Sequence, residues 1–401
     1  MRIVLVGPAF PYRGGIANFV AATYRHLQNH GHAVAIVNFT RQYPDFLFPG
    51  KTQFEASPQN LPSVRVIDSV WPPSWLQAAR AVRQFSPDLI VYNYWMPFFA
   101  PAYGTMALFL RRHKTSRQIC VCHNVQPHES RPGDRLLNHF FLRQMDGHVV
   151  LSRAVEEELL NLEPKARVTR VLHPVDESFP QTEPKEAARK RLGLPPEKTV
   201  LLFFGYIRRY KGLDILLHAL PLVRRHHPDV FLLIVGEFYE PRAPFEALIR
   251  EKGLEEVVRI VDRFVPNTEV GLYFSAADGV VMPYRSATQS GILPIAYQFE
   301  KPVITTRVGG LPDFVEEGKT GFLVKPEDPE ALAAAIETFL EKRKSISFEE
   351  NIRRFREKFS WENLVEAIES FSQKSKAAER NAVPDQRPEK TDHFPKDFSQ
   401  K

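Results

Sequence analysis

Short runs rich in Val and Ile alternate with longer stretches of helical periodicity along this chain, and the alternation runs twice. The first series places strands at 2–7, 33–39, 64–68, 88–93, 118–123 and 147–151, with helical patterns such as 16–30, 75–85 and 101–113 between them. Strands alternating with helices in this way build a parallel sheet covered on both faces. After a run at 168–172 comes His173-Pro174-Val175-Asp176 and a Pro- and charge-rich stretch to Pro184, which has the composition of a hinge. The pattern then restarts, with strands at 200–205, 230–236, 257–261, 278–282, 303–306 and 321–324 and helices at 213–225, 244–252 and 329–343. The expectation is an α/β protein of two domains, 1–175 and 176–355, with a cleft facing the carboxyl ends of both sheets. Amphipathic pieces at 348–359 and 361–371 follow, and a helix within 356–372 is placed to cross back to the first domain. The polar, charged stretch 373–401 reads as disordered.

A chain of 401 residues exceeds what one core organises, which agrees with two domains. No apolar run is long enough to span a membrane. The opening MRIVLVGPAF is a short strand, too brief for the core of a signal peptide. Cys120 and Cys122, the two cysteines, alternate along one strand and so share a face, where they read as small apolar residues in a reducing, cytoplasmic compartment. Charge is uneven. Residues 1–175 hold 19 Lys and Arg against 11 Asp and Glu, an excess of +8; the remainder holds 34 against 36, or −2, and together these give the net +6. The basic half suits an anionic partner or is simply unevenly solvated.

Four loops carry the chemistry. Strand 2–7 runs into Gly7-Pro8-Ala9-Phe10-Pro11-Tyr12-Arg13-Gly14-Gly15, where Gly14 and Gly15 either make a tight turn or let backbone approach a diphosphate or sugar. The spacing is not GxGxxG and supports no dinucleotide site. Strand 200–205 runs into Gly205-Tyr206-Ile207-Arg208-Arg209-Tyr210-Lys211-Gly212, which brings three cations to the sheet edge and suits a pyrophosphate. Cys122-His123-Asn124 puts His123 at the carboxyl end of a buried strand, where ligands bind in this architecture; His128 and Glu129 lie shortly beyond. The segment from Tyr284 to Gly310 combines Ser286, Thr288, Ser290 and Gly291 before an apolar run from Ile292, then a short strand and Gly309-Gly310. A helix starting there turns free N–H groups toward whatever lies in front of it.

Gly14-Gly15, His123, FGYIRRYKG, Ile234-Val235-Gly236-Glu237, Phe264-Val265-Pro266-Asn267 and KPVITTRVGGLPDFVEEGKTGFLV, in this order, resemble the family-4 retaining glycosyltransferases of the GT-B fold. The resemblance reaches to about Phe371 and is weakest through 40–115. It implies two Rossmann-like parallel-sheet domains and a nucleotide-sugar donor in the cleft, mostly on the second domain. By similarity, Gly15 approaches the donor phosphate and sugar, and Lys211 with Arg208 or Arg209 neutralises the departing diphosphate. Gly205 and Gly236 flank the donor, and Phe264 and Val265 line the nucleobase pocket. Ser290, Gly291 and Ile292 offer N–H groups to the phosphate, and His123 contacts the donor sugar. No metal and no cofactor is implied.

The chain departs from the family pattern in two places, the turn after Gly205 and the segment before and within the helix from Ile292. Tyr206 stands where the family usually has Arg. The family's two Glu residues fall at Ala287 or Gln289 and at Ile295 or Tyr297, none acidic, which leaves Thr288, Gln289 and Ser290 as substitutes. With no close carboxylate pair in view, a covalent glycosyl intermediate is disfavoured and a same-face displacement expected. The acceptor is a saccharide or a lipid-linked sugar. The aromatic run from Tyr92 to Phe99, with Arg111, Arg112, His113 and Lys114 further on, reads equally as contact with an anionic membrane surface or as core followed by a helix end with cations. Epimerase or phosphorylase activity on the same fold, or a non-catalytic subunit of a polysaccharide assembly complex, are the alternatives. Nucleic-acid binding is disfavoured because the basic residues are scattered.

Overall fold

The computed structural model describes residues 1–44, 52–55, 61–112, 116–126, 132–174, 183–288 and 290–372. Seven strands form the first sheet: β1 (Arg2–Val6), β2 (Ala33–Arg41), β3 (Val64–Asp68), β4 (Leu89–Tyr94), β5 (Arg117–Cys122), β6 (Gly147–Val150) and β7 (Val168–Arg170), in the order β3-β2-β1-β4-β5-β6-β7. Six form the second: β8 (Thr199–Phe204), β9 (Val230–Val235), β10 (Val258–Val261), β11 (Gly279–Met282), β12 (Val303–Thr306) and β13 (Gly321–Val324), in the order β10-β9-β8-β11-β12-β13. Every pairing between these strands is parallel. Central strands such as LIVYNY of β4 and VFLLIV of β9 are buried at every residue, because helices cover both faces. Among the described residues, no helix is long and apolar enough to cross a membrane.

Strand order reverses between β1 and β4 in one sheet and between β8 and β11 in the other. A crevice opens at such a switch point, outside the carboxyl ends of the strands. Three of the loops singled out from the sequence leave β1, β8 and β11, the fourth leaves β5 beside β4, and the two sheets present them to each other.

The chain crosses between domains near its end. Phe348, Ile352, Phe355 and Phe359 belong to the second domain's core. Ser360 then caps the helix Trp361–Glu369, accepting from Asn363 N–H at 3.3 Å, and Trp361, Leu364, Val365, Ile368 and Phe371 join the first domain's core with Ile3, Phe19 and Val121. His26 stacks on Trp361 at 4.9 Å between ring centres, and His32 meets Glu369 at 2.6 Å.

Cys120 and Cys122 are free, fully buried and 3.4 Å apart at sulfur. Within the aromatic run, Tyr92 and Tyr94 on β4 are fully buried and pack with Tyr103 on Phe141. Phe99 is also fully buried, whereas Trp95 and Phe98 are half-buried. The helix Ala100–Arg111 ends on exposed Arg111 and Arg112, as cations complement a helix carboxyl end. His113, Lys114, His128, Glu129, Gln289 and the stretch 373–401 lie outside the described residues.

Candidate functional site

The β1 loop is built by a residue on the neighbouring strand. Asn38, fully buried on β2, accepts from Ala9 N–H at 3.1 Å and donates to the Ala9 and Phe10 carbonyls at 3.0 Å each. Gly14 ends the loop at φ 111 as the N-cap of the helix Gly15–Asn29. No side chain caps that helix, and a Cβ on Gly14 or Gly15 would meet nothing within 4 Å. The first turn therefore faces open space with its amide dipoles aligned.

Glycines give the β8 loop its shape. Gly236, at φ 149, lies so close to the Gly205 carbonyl that an added Cβ would sit 2.0 Å from it. Gly205, at φ 101, leaves room for an ammonium: a Cβ there would be 2.6 Å from Lys211 Nζ and 3.3 Å from Ile292. The two glycines thus pack the turn and bring Lys211 against the start of the helix Ile292–Gln298. Lys211 is buried, with its Nζ 5.5 Å from the centre of the Tyr284 ring, and no carboxylate pairs with it among the described residues. Burial first, and the charge of Arg208 second, pull its pKa down to about 7. Arg208 and Arg209 are exposed, Arg208 over the Tyr239 ring at 5.3 Å.

His123 is buried where β5 ends. Its Nε2 lies 3.4 Å from Asn93 Oδ1, Phe19 packs against the ring at 4.6 Å, and Nδ1 has no hydrogen-bond partner. Asn93 Nδ2 is likewise buried and unpartnered. Burial, then the nearby His173 charge, holds His123 well below the usual histidine range, so the ring is neutral.

In the β11 loop, two groups expected to meet the donor have partners within the protein. The Ile292 N–H, expected to serve a phosphate, donates to Ser290 Oγ at 3.2 Å, and the helix it starts has only seven residues. Thr288, expected at the donor sugar, also joins the domains: its hydroxyl donates to Asn124 Oδ1, and its carbonyl accepts from Ser152 Oγ at 2.9 Å and Gly310 N–H at 3.1 Å. Gly309 and Gly310 are glycines because any Cβ would strike the Ala287 and Thr288 carbonyls. A Cβ on Gly291 meets nothing within 4 Å, so no protein neighbour requires that glycine. Tyr297 is core, its hydroxyl donating to the Phe314 carbonyl at 2.6 Å.

One side of the cleft holds an ion pair between the domains, set beside Phe264 and Tyr206. Arg13, the residue before Gly14, reaches across to Glu237, the residue after Gly236, at 2.6 Å; 4% and 2% of these side chains are exposed. The guanidinium also lies 4.2 Å from the centre of the Phe264 ring, which stacks on Tyr206 at 6.3 Å, and Tyr206 packs on Tyr239 at 4.5 Å. Asn18 and Asn267 exchange side-chain hydrogen bonds of 3.1 and 3.2 Å nearby.

The family model described as Glycosyltransferase Family 4 matches residues 13–179, and that described as Glycosyl transferases group 1 matches residues 198–342. This chain belongs to the family-4 glycosyltransferases. A D-inositol 3-phosphate glycosyltransferase of Corynebacterium urealyticum is 35% identical over 216 residues, 51% of this chain and 50% of the relative. The chain therefore spans about half the length of the curated relatives it matches. Among solved structures, sucrose-phosphate synthase of Thermosynechococcus elongatus superimposes with a TM-score of 0.74 at 21% identity, covering 92% of this chain and 98% of that one. Anabaena HepE in complex with UDP follows at 0.71 and 17%, covering 92% and 99%. At these identities the likeness shows the GT-B fold alone.

In this family-4 glycosyltransferase, several residues that build the cleft carried weak sequence signals. Arg13 and Glu237 each adjoin a glycine already singled out, and Arg285 stands inside the 284–310 segment. Asn38 and Asn93 are polar residues inside apolar strands, a signal the sequence reading did not use.

Proposed function

We propose that the chain is a retaining glycosyltransferase that moves a sugar from a nucleotide-sugar donor to a saccharide or lipid-linked acceptor without a metal. The observation that carries this reading is Lys211: a buried lysine, its ammonium form unpaired with any carboxylate among the described residues, at the switch point of the second sheet. Burying such a charge is costly unless an anion joins it. A diphosphate leaving group supplies that anion, with the exposed Arg208 and the open amino end of the helix Gly15–Asn29 adding positive potential.

In the proposed step the bond between the anomeric carbon and the diphosphate oxygen breaks and the electron pair leaves with the phosphate. The acceptor hydroxyl attacks the same face and its proton passes to the departing phosphate oxygen. The Glu237 carboxylate is already held by Arg13 at 2.6 Å, which makes it a poor nucleophile and supports displacement without a covalent intermediate. Neutral His123, with Nδ1 unpartnered, is suited to a hydrogen bond with the donor sugar. The aromatics of β4 lend no support to a membrane surface. What supports one is the basic excess of residues 1–175 and exposed Leu108 beside Arg111 and Arg112.

The test is nucleotide release by the purified protein across UDP-, GDP-, ADP- and TDP-sugars, with and without simple saccharide and inositol phosphate acceptors. Release from one donor class, abolished in Lys211→Ala, is the expected result. Binding of no nucleotide at all would discard the donor site and favour a non-catalytic subunit.

A further inference from the structure

The cation turn has a template in the segment that leaves β11. Pro283, Tyr284 and Arg285 lie against it residue by residue. The Pro283 carbonyl touches Gly212, where an added Cβ would be 2.0 Å away, and the Tyr284 ring lies under Lys211 Nζ. Arg285 then binds two successive carbonyls of the turn. Its backbone N–H donates to Tyr210 at 2.7 Å and its Nη1 to Arg209 at 2.8 Å. The same guanidinium grips Asp214 with both Nη atoms, at 2.8 and 2.6 Å, in the first turn of the helix Leu213–His226. Its Nε donates to Glu327 at 3.0 Å, a residue held at φ 57 although it is not glycine. The fork therefore spans three elements: the turn 209–211, the helix that follows it and the loop after β13. Lys211 itself sits between the two ends of this clamp, and no carboxylate among the described residues fixes its ammonium.

We propose that Arg285 is a positioning residue whose guanidinium sets the Lys211 ammonium for the diphosphate by clamping the Arg209 carbonyl and the Asp214 carboxylate. This rests on the donor-site reading above and adds to it a residue that touches neither donor nor acceptor. A planar fork is suited to the task because one point charge cannot reach a carbonyl and both oxygens of a carboxylate together. Loosening the turn misplaces the ammonium, and small misplacements of a charge in a dry site are expensive.

A double-mutant cycle on the full chain tests this. Calorimetric titration with UDP, GDP, ADP and TDP identifies the tightest nucleotide, which is then carried through the variants. Arg285→Ala is expected to weaken it about tenfold in the wild type and by less than about twofold in a Lys211→Ala background, because the residue acts through the lysine. Arg285→Lys is expected to recover only part of the loss. Asp214→Asn, which keeps Arg285 but removes one grip, should weaken binding in the same lysine-dependent way, and it serves if Arg285→Ala does not fold. Equal losses in both backgrounds, or full affinity in Arg285→Ala, would overturn the assignment while leaving the donor site standing. Full affinity in Lys211→Ala, or silence with all four nucleotides, would remove the donor-site reading and this inference together.

Discussion

Arg13 and Glu237 come from different domains and meet at 2.6 Å with almost no solvent between them. The pair lies 224 residues apart in sequence and closes the cleft at the Phe264 side. Two desolvated charges hold together only as a pair, so the contact specifies one arrangement of the domains more than it stabilises either of them.

Removing one partner leaves the other buried and alone. Glu237→Gln or Arg13→Ala should cost the closed arrangement about 3–5 kcal/mol, enough to open it. Small-angle scattering checks this: each single variant is expected to show a larger radius of gyration than the wild type. Arg13→Met combined with Glu237→Leu should stay compact, since an apolar pair carries no desolvation penalty.

Acid should weaken the first domain before the second. Burial lowers the His148 pKa to about 4 and holds His123 well below the usual range. A group depressed in the fold takes up its proton first in the unfolded chain. Stability is therefore complete above the ordinary histidine value of about 6.5 and is lost as pH falls from there toward the folded value. Melting curves at pH 7.5, 6 and 5 should fall progressively for the wild type. His148→Gln, which lacks the proton site, should flatten part of that slope.

The strands and their order of appearance were legible because a parallel strand buried on both faces must be apolar along its whole length, and little else looks like LIVYNY or VFLLIV. The ligand-facing loops were legible because they follow those strands. Cross-domain partners were not. Arg13 in isolation reads as a solvated cation, since only the fold shows that Glu237 waits for it. Thr288 reads as a ligand contact, and only the fold shows Asn124 opposite it. Tyr92 and Tyr94 read equally as core or as membrane contact, because the sequence does not show that Phe141 packs on them. Tyr206 was recognised as a departure, and its neighbours Phe264 and Tyr239 now show what it does there: it extends an aromatic wall that the Arg13 guanidinium covers.

The turn that follows the helix Trp361–Glu369 holds the first domain together. Phe371 packs so closely on Gly147 that a Cβ there would sit 2.1 Å from its ring, and Arg167 covers the other face at 4.6 Å. Phe371→Ala should cost about 3–5 kcal/mol of first-domain stability, as large-to-small changes of buried aromatics do. Gly147→Ala should also destabilise, by forcing the ring out, and the two together should cost less than their sum. Urea unfolding of the three variants measures both the losses and the coupling.

Lys211 should make folding and ligand binding respond to alkali in opposite directions. Its folded pKa is about 7, against about 10.4 in an unfolded chain. Between these values the unfolded chain binds the proton and the empty fold does not, so stability of the free protein rises with pH across that window. Nucleotide binding needs the protonated ammonium. Affinity for a nucleoside diphosphate is therefore expected to fall as pH rises from 7 to 9, by up to about tenfold per unit while the lysine must be reprotonated on binding. Calorimetry in buffers of different ionisation enthalpy would show proton uptake on binding above pH 7, and Lys211→Met should abolish both the uptake and the slope. A pH-independent affinity in the wild type would mean that the phosphate is met by Arg208 and backbone amides without Lys211.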